Sequence, residues 1–103
     1  MDNIHNQVAL IERSFANKNY GNAEILSNQL ILKGIKDPWL SKVLAISLTK
    51  QKKFSKAKKY FQQVIEMSPE DHDSYYNFAK SFLEQGDNDN ALKYYKKAHA
   101  KNP

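Results

Sequence analysis

Apolar residues recur every three or four positions along most of the chain, which is the spacing of one face of an α-helix. The clearest run contains Tyr75, Phe78 and Phe82. Gly86 and Asp87 follow this run and are typical of a helix end and of the cap of the next helix. The pattern predicts six helices, near residues 4–17, 20–34, 38–51, 54–67, 72–85 and 88–101.

The predicted helices form a repeat with a period of 34 residues. A shift of this length places Ala23 on Ala57 and Ala91, each in the second helix of a pair. A small side chain at this place lets the two helices of a pair approach closely. Asp37 and Pro38 separate the first pair from the second, as a cap and a first helical residue. The repeat predicts three hairpins, over about residues 4–37, 38–71 and 72–103, within a single domain over residues 1–103.

The order of residue types within each unit carries a family pattern. The third unit contains Tyr75-x2-Phe78-Ala79-x2-Phe82 followed by Ala91-x3-Tyr95, and the second contains Leu44-Ala45-x2-Leu48 followed by Ala57-x3-Phe61. This order resembles the tetratricopeptide repeat over nearly the whole chain. The first unit is degenerate, because Ser27 stands in place of the aromatic residue that follows Ala23. The resemblance implies an all-α fold, a right-handed α-solenoid of three helix-turn-helix hairpins.

In this family the first helix of each unit lines a concave groove that holds a partner protein or peptide, so the resemblance implies such a groove here. The residues expected to bind are Phe15, Trp39, Lys42, Ile46, Lys50, Tyr76, Asn77, Lys80 and Leu83, with His5, Val8, Glu12, Thr49 and Asp73 on the same faces. Apolar residues beside lysines favour a ligand with apolar side chains and an acidic group, and Lys42 and Lys80 are the hypothesised clamp for that group. The alternative is that the apolar residues pack between the units.

A second face of the first helices is predicted to pack the hairpins together. It contains Leu10, Ile11, Leu44, Ala45, Leu48, Phe78, Ala79 and Phe82. At the end of the stack, the last hairpin would leave Leu92, Tyr94, Tyr95 and His99 partly uncovered. Either the chain is part of a longer protein, which is the favoured interpretation, or a second copy covers this end.

The composition excludes several kinds of protein. Apolar residues make up 41% of the chain and charged residues 26%, as in an ordinary globular protein. Cysteine is absent, which removes disulfides, thiolate metal sites and cysteine nucleophiles. The sequence contains neither a secretory signal nor an apolar stretch long enough to cross a membrane, and a cytoplasmic location is expected.

The net charge of +5 is unevenly distributed. Residues 38–71 carry seven lysines against three acidic residues, whereas residues 1–37 are balanced. A basic patch of this kind attracts acidic partners, although a solvated helix rim is the favoured interpretation. Nucleic-acid binding is not favoured, because Arg13 is the only arginine and bidentate contacts to bases normally use arginine.

Residues that could carry catalysis or bind a metal are not grouped in the sequence. His5, His72 and His99 lie at unrelated positions of the repeat, and His99 takes the place of Ile65, which predicts a packing role. The segment 87–90 looks like the start of a calcium loop but lacks the later glycine and acidic residue. We therefore predict no enzyme activity, no metal and no cofactor.

Three functions fit these features of the sequence. The first is a protein-interaction scaffold that binds its partner in the groove. The second is a homodimerisation module that uses the uncovered last hairpin. The third is an accessory domain of an enzyme whose catalytic part lies beyond Pro103.

Overall fold

The computed structural model describes residues 3–102, and this part of the chain contains six α-helices and no β-strand. The helices are α1 (Asn3–Ala16), α2 (Tyr20–Leu32), α3 (Pro38–Lys50), α4 (Phe54–Met67), α5 (His72–Glu84) and α6 (Asn88–Lys101). Every predicted helix is present, and every predicted boundary lies within two residues of the observed one. The all-α prediction is confirmed.

The turns between the helices use the capping residues predicted from the sequence. The Asp37 carboxylate accepts a hydrogen bond from the backbone N–H of Trp39 at 2.9 Å, with Pro38 in the first helical turn. Asp87 caps α6 in the same way, through the backbone N–H of Asn90 at 3.1 Å. Gly86 adopts a φ of +85°, in the left-handed region that glycine tolerates best. These local contacts explain why the helices begin and end where they do.

Successive helices pack against one another, and α3 also packs against α5 in the next hairpin. The result is a stack that measures 46 × 25 × 21 Å. Polar side chains add links between hairpins: Glu24 on α2 accepts hydrogen bonds from Gln51 at 2.8 Å and Lys53 at 3.0 Å, both in the turn after α3. Because each hairpin contacts only its neighbours, the stability of the stack depends on these junctions.

The larger core cluster joins the second and third hairpins. Phe78 of α5 stacks on Phe61 of α4, with ring centroids 5.0 Å apart, and both side chains are fully buried. Ala57 and Ala91 are buried beside them, where their small size allows the helices to approach. The predicted role of the repeated alanines is thus confirmed.

A second cluster forms the core of the first hairpin and of its junction with α3. It contains Ile11, Ala23, Leu30, Leu40 and Val43. Ser27, the residue that makes the first unit degenerate, is buried here, and its hydroxyl donates a hydrogen bond to the carbonyl of Ala23 at 2.6 Å. This bond satisfies the polar side chain within its own helix, so the unit keeps its fold without the aromatic residue.

Two packing predictions are wrong, both at the ends of the stack. Leu10 is 46% exposed although its repeat partner Leu44 is 2% exposed, and His99 is exposed although Ile65 packs against the core. The reason is that the middle hairpin has a neighbour on each side, as where Phe61 packs against Phe78 of the next hairpin, whereas Leu10 and His99 lie in the two outer hairpins.

Candidate functional site

The first helices α3 and α5 lie side by side and are joined by polar contacts along their length. Near their N-termini, Lys42 Nζ lies 2.6 Å from the Asp71 carboxylate and 3.3 Å from that of Asp73. Further along, a hydrogen bond of 3.0 Å joins the buried hydroxyls of Thr49 and Ser81. At the C-terminal end, Lys50 Nζ lies 3.9 Å from Glu84. These contacts fix the spacing of the two helices. They engage Lys42, Lys50 and Thr49, all of which were expected on the face that binds a partner.

The Lys42–Asp71 pair is a structural contact between hairpins. Partial burial disfavours both charges, but the hydrogen bond between them and their mutual attraction outweigh it. The pKa of Lys42 is therefore raised, and the pKa of Asp71 is lowered, with further help from the Ser74 hydroxyl. Lys42 already faces two carboxylates of its own chain, so its charge is largely balanced before any ligand arrives.

The exposed part of this face lies mainly on α5. Tyr76 is 48% exposed and Leu83 is 50% exposed, and Lys80 lies between them with its Nζ 5.7 Å from the Tyr76 ring centre. Across the helix junction, Ile46 and Lys50 line a small depression of about 20 Å³ together with Asn77, Lys80 and Glu84. We call the set Ile46, Lys50, Tyr76, Lys80 and Leu83 the inner groove.

Other residues predicted for this face are partly or wholly engaged in packing. Phe15 and Trp39 are half-buried against the cluster around Ile11, and the Phe15 ring meets Tyr20 edge to face at 5.8 Å. Val8 packs against the same cluster. These three positions match the alternative in which apolar residues pack between the units.

Two polar residues of the predicted face are also engaged. Thr49 is buried, and the expectation that it lies open on the groove is wrong because its hydroxyl is bonded to Ser81. The Asn77 amide donates hydrogen bonds to the carbonyl and the carboxylate of Asp73, at 2.9 and 3.1 Å. Its amide hydrogens are thus used within α5.

Tyr76 lies at the corner between the inner groove and the open end of the last hairpin. Its ring centroid is 5.4 Å from that of Tyr95 on α6, and burial, followed by the proximity of Tyr76, raises the pKa of Tyr95. A cleft of about 390 Å³ runs along this end, lined by Tyr76, Tyr95, His72 and His99 among others. Leu92 is exposed on α6, as predicted for an uncovered end.

The opposite, outer side of the stack carries a site that was not predicted from the sequence. A cleft of about 560 Å³ lies between α4 and α6 and is lined by Gln62, Ile65, Glu66, Tyr75, Tyr94, Lys97, Ala100 and Lys101. The spacing of Lys93, Lys97 and Lys101 places them on one face of α6, and this signal was present in the sequence. Glu84, the partner of Lys50, was also missed.

Metal ligands and membrane-spanning segments were searched over residues 3–102. In this range no three histidine, aspartate or glutamate side chains are grouped so as to hold a metal ion. None of the six helices is long and apolar enough to cross a membrane.

Comparison with known proteins agrees with the repeat pattern. The family model described as tetratricopeptide repeat matches residues 43–103, which is more than half of the chain. No curated protein sequence matches the chain significantly.

Solved structures of MamA have the same fold. A MamA mutant aligns with the whole chain at a TM-score of 0.91 and 19% identity, and the alignment covers 75% of that structure. MamA MSR-1 aligns with 96% of the chain at a TM-score of 0.88 and 20% identity, and MamA AMB-1 with 97% at 0.89 and 20%. The chain spans only 57% and 59% of the latter two structures. At such low identity the likeness concerns the fold alone.

Proposed function

This chain belongs to the tetratricopeptide repeat family, and on that premise we propose that it is a non-catalytic module that holds a partner protein or peptide in its inner groove. The observation that carries the proposal is the pair of half-exposed apolar side chains, Tyr76 and Leu83, on one face of α5. Large apolar side chains that share an exposed face are the usual anchors of a protein interface. Lys50 and Lys80 add positive charge to this face.

The spacing of these anchors defines the ligand. Leu83 follows Tyr76 by seven positions, which is about 10 Å along the helix at a rise of about 1.5 Å per residue. Apolar side chains seven residues apart in a helical ligand, or three apart in an extended one, span the same distance. Lys80 lies between the anchors and forms no ion pair within residues 3–102. We therefore expect an acidic group between the two apolar side chains of the ligand.

The proposal is tested by capture of a partner from a lysate of the source organism. Wild type is compared with Tyr76→Ala/Leu83→Ala, which removes both anchors. The matched control is Ile25→Ala/Leu32→Ala, which removes two exposed apolar side chains from α2. Circular dichroism first establishes that the three proteins are equally helical.

A partner retained by wild type and by the control, but lost by the groove variant, supports the inner groove as the binding surface. Each anchor should contribute about 1–2 kcal/mol, so the double variant should bind at least about tenfold more weakly. A partner retained equally by all three proteins contradicts the proposal. So does a partner lost from the control as well, because that result indicates nonspecific apolar contact.

Self-association is a second candidate, favoured by the open end of the last hairpin. Leu92 is more than half exposed on α6, the helix that carries Tyr95. If this face joins two copies, light scattering should show a mass that rises with concentration and a Leu92→Lys variant that stays monomeric. A monomeric wild type would exclude this candidate. The cytoplasmic location and an extension beyond Pro103 stay predictions.

A further inference from the structure

The positive charge of the chain is concentrated on the second helices of the last two hairpins. Three lysines on α4 oppose Glu66, and four on α6 oppose Asp89, so the two helices together carry +5. This value equals the net charge of the whole chain, and the remaining residues therefore sum to zero. The excess lies on the outer side of the stack, away from the inner groove.

Most of these lysines are not used to hold the fold together. Within residues 3–102, the ion pairs of the lysines involve Lys42, Lys50, Lys53 and Lys101. Of the seven lysines on α4 and α6, only Lys101 is among those paired in this range. The charges of Lys56 and Lys58 help to lower the pKa values of Glu24 and Asp87, whereas Lys93, Lys96 and Lys97 form no ion pair within residues 3–102. Their ammonium groups remain free to meet negative charge from outside.

The cleft between α4 and α6 gives this charge a shaped binding surface. We call the residues that line it, Gln62, Ile65, Glu66, Tyr75, Tyr94, Lys97, Ala100 and Lys101, the outer cleft. Lys97 Nζ lies 4.9 Å from the Tyr94 ring centre, and Lys101 Nζ lies 5.9 Å from that of Tyr75. The cleft thus combines apolar and aromatic surface with ammonium groups, which suits a chain that carries both apolar and acidic side chains.

A carboxylate of the chain already binds at one side of this cleft. Glu70 lies in the turn between α4 and α5, and its carboxylate is 3.2 Å from Lys101 Nζ. The Glu70 side chain is 83% exposed, so little besides Lys101 holds it there. An exposed pair of this kind contributes little to stability and exchanges readily. It shows how a carboxylate from a partner can be received.

We propose that the outer cleft is a second binding surface, on the side opposite the inner groove, for an acidic segment of a partner protein. Its carboxylates would meet Lys97 and Lys101, and its apolar side chains would cover Ile65 and Ala100. This surface does not depend on the inner groove, and the two can be tested separately.

A protein segment fits this surface better than a nucleic acid does. Single-stranded nucleic acids bind by stacking their bases on open aromatic rings. The Tyr94 ring is already packed at 4.5 Å from Phe78 and 5.5 Å from Phe82, and Lys97 lies over it. Arg13, the only arginine, is on α1 and not at the cleft. Stacking and bidentate base contacts are therefore both lacking here.

The test uses a fluorescein-labelled peptide rich in glutamate and containing leucine, with the matched glutamine peptide as its control. Binding is measured by fluorescence anisotropy at low and at physiological salt, on the full chain and on the full chain carrying Tyr76→Ala/Leu83→Ala, which lacks the apolar anchors of the inner groove, and the lysine variants are compared in this second background. Lys97→Gln/Lys101→Gln removes the two lysines of the outer cleft. Lys50→Gln/Lys80→Gln removes the same charge from the inner groove. Glu66→Gln removes a negative charge from the outer cleft, and circular dichroism checks the folding of each variant.

We expect Lys97→Gln/Lys101→Gln to weaken binding of the glutamate peptide about tenfold, and Lys50→Gln/Lys80→Gln less than about twofold. Glu66→Gln should tighten binding about twofold or more, which a damaged fold cannot do. Equal weakening by both lysine pairs would overturn the proposal, because it would indicate charge attraction without a site. So would an absence of peptide binding by wild type, or tighter binding of a single-stranded oligonucleotide through the same lysines.

Discussion

Replacement of Phe61 with alanine should destabilise the chain much more than replacement of Tyr95, although the two residues occupy the same place in successive hairpins. Phe61 is fully buried and stacks on Phe78 of the next hairpin at 5.0 Å. Truncation of a buried phenylalanine leaves a cavity and costs about 3–5 kcal/mol. Tyr95 is half-buried on the open side of α6, where water can fill the space that the ring leaves. Its loss should cost about 1–2 kcal/mol.

The comparison is made by urea denaturation and by thermal unfolding, both followed by circular dichroism. A domain of this size has a free energy of unfolding of about 5–15 kcal/mol, so Phe61→Ala should remove a large part of it. Its midpoint temperature should fall by about 15 °C or more, and that of Tyr95→Ala by about 5–10 °C. Equal losses from the two variants would refute the reasoning, because they would mean that α5 does not seal Phe61 in the core.

Three further predictions concern stability. The pKa values of Asp71 and Glu24 are lowered in the fold, so their charged carboxylates stabilise the fold above the ordinary carboxyl pKa, and this stabilisation is lost below about pH 4. In a pH series, the melting temperature of Asp71→Asn should therefore fall less steeply below about pH 4 than that of wild type. Parallel curves for the two proteins would contradict this. Lys52 and Gly86 occupy the same turn position, at φ +63° and +85°. In urea titrations, Gly86→Lys should lower the free energy of unfolding by about 1 kcal/mol, and Lys52→Gly should raise it by up to about 1 kcal/mol. Changes of the same sign in the two variants would contradict this account. In the same assay, Thr49→Val should lower the free energy of unfolding by about 1–3 kcal/mol, because it removes the hydrogen bond to buried Ser81. Thr49→Ser keeps the hydroxyl and should cost less. Equal losses from the two variants would indicate that packing, and not the hydrogen bond, is lost.

The helices could be predicted from the sequence because their causes are local. The apolar spacing, the caps at Asp37 and Asp87, and the glycine at position 86 act within a few residues of each helix end. The repeated alanines could also be interpreted, because close packing within a hairpin requires a small side chain wherever the hairpin occurs. Lys18 and Lys52 take the left-handed turn position of Gly86 without being glycine, and the residue types alone did not reveal this.

The burial of residues at equivalent places in the three hairpins could not be predicted in the same way. Leu10 and Leu44 share a place in the repeat, but only an inner hairpin has neighbours on both sides. The helical phase of Thr49 predicts a place on the groove, whereas its burial depends on Ser81, which lies 32 residues away. Contacts across such distances depend on how two hairpins pack, and a pattern within one hairpin does not contain that information.

The distribution of charge also depends on how the hairpins pack, and it connects the fold with the proposed function. Counted along the sequence, the excess lies in residues 38–71; counted by helix, it lies on α4 and α6, because a sequence window mixes the two sides of the stack. On α3, the first helix of the second hairpin, lysines join two hairpins, as Lys42 does with Asp71. Of the lysines on α4 and α6, Lys101 is the one that forms an ion pair within residues 3–102. We therefore expect substitutions at Lys97 to weaken binding of an acidic segment without removing an ion pair between hairpins.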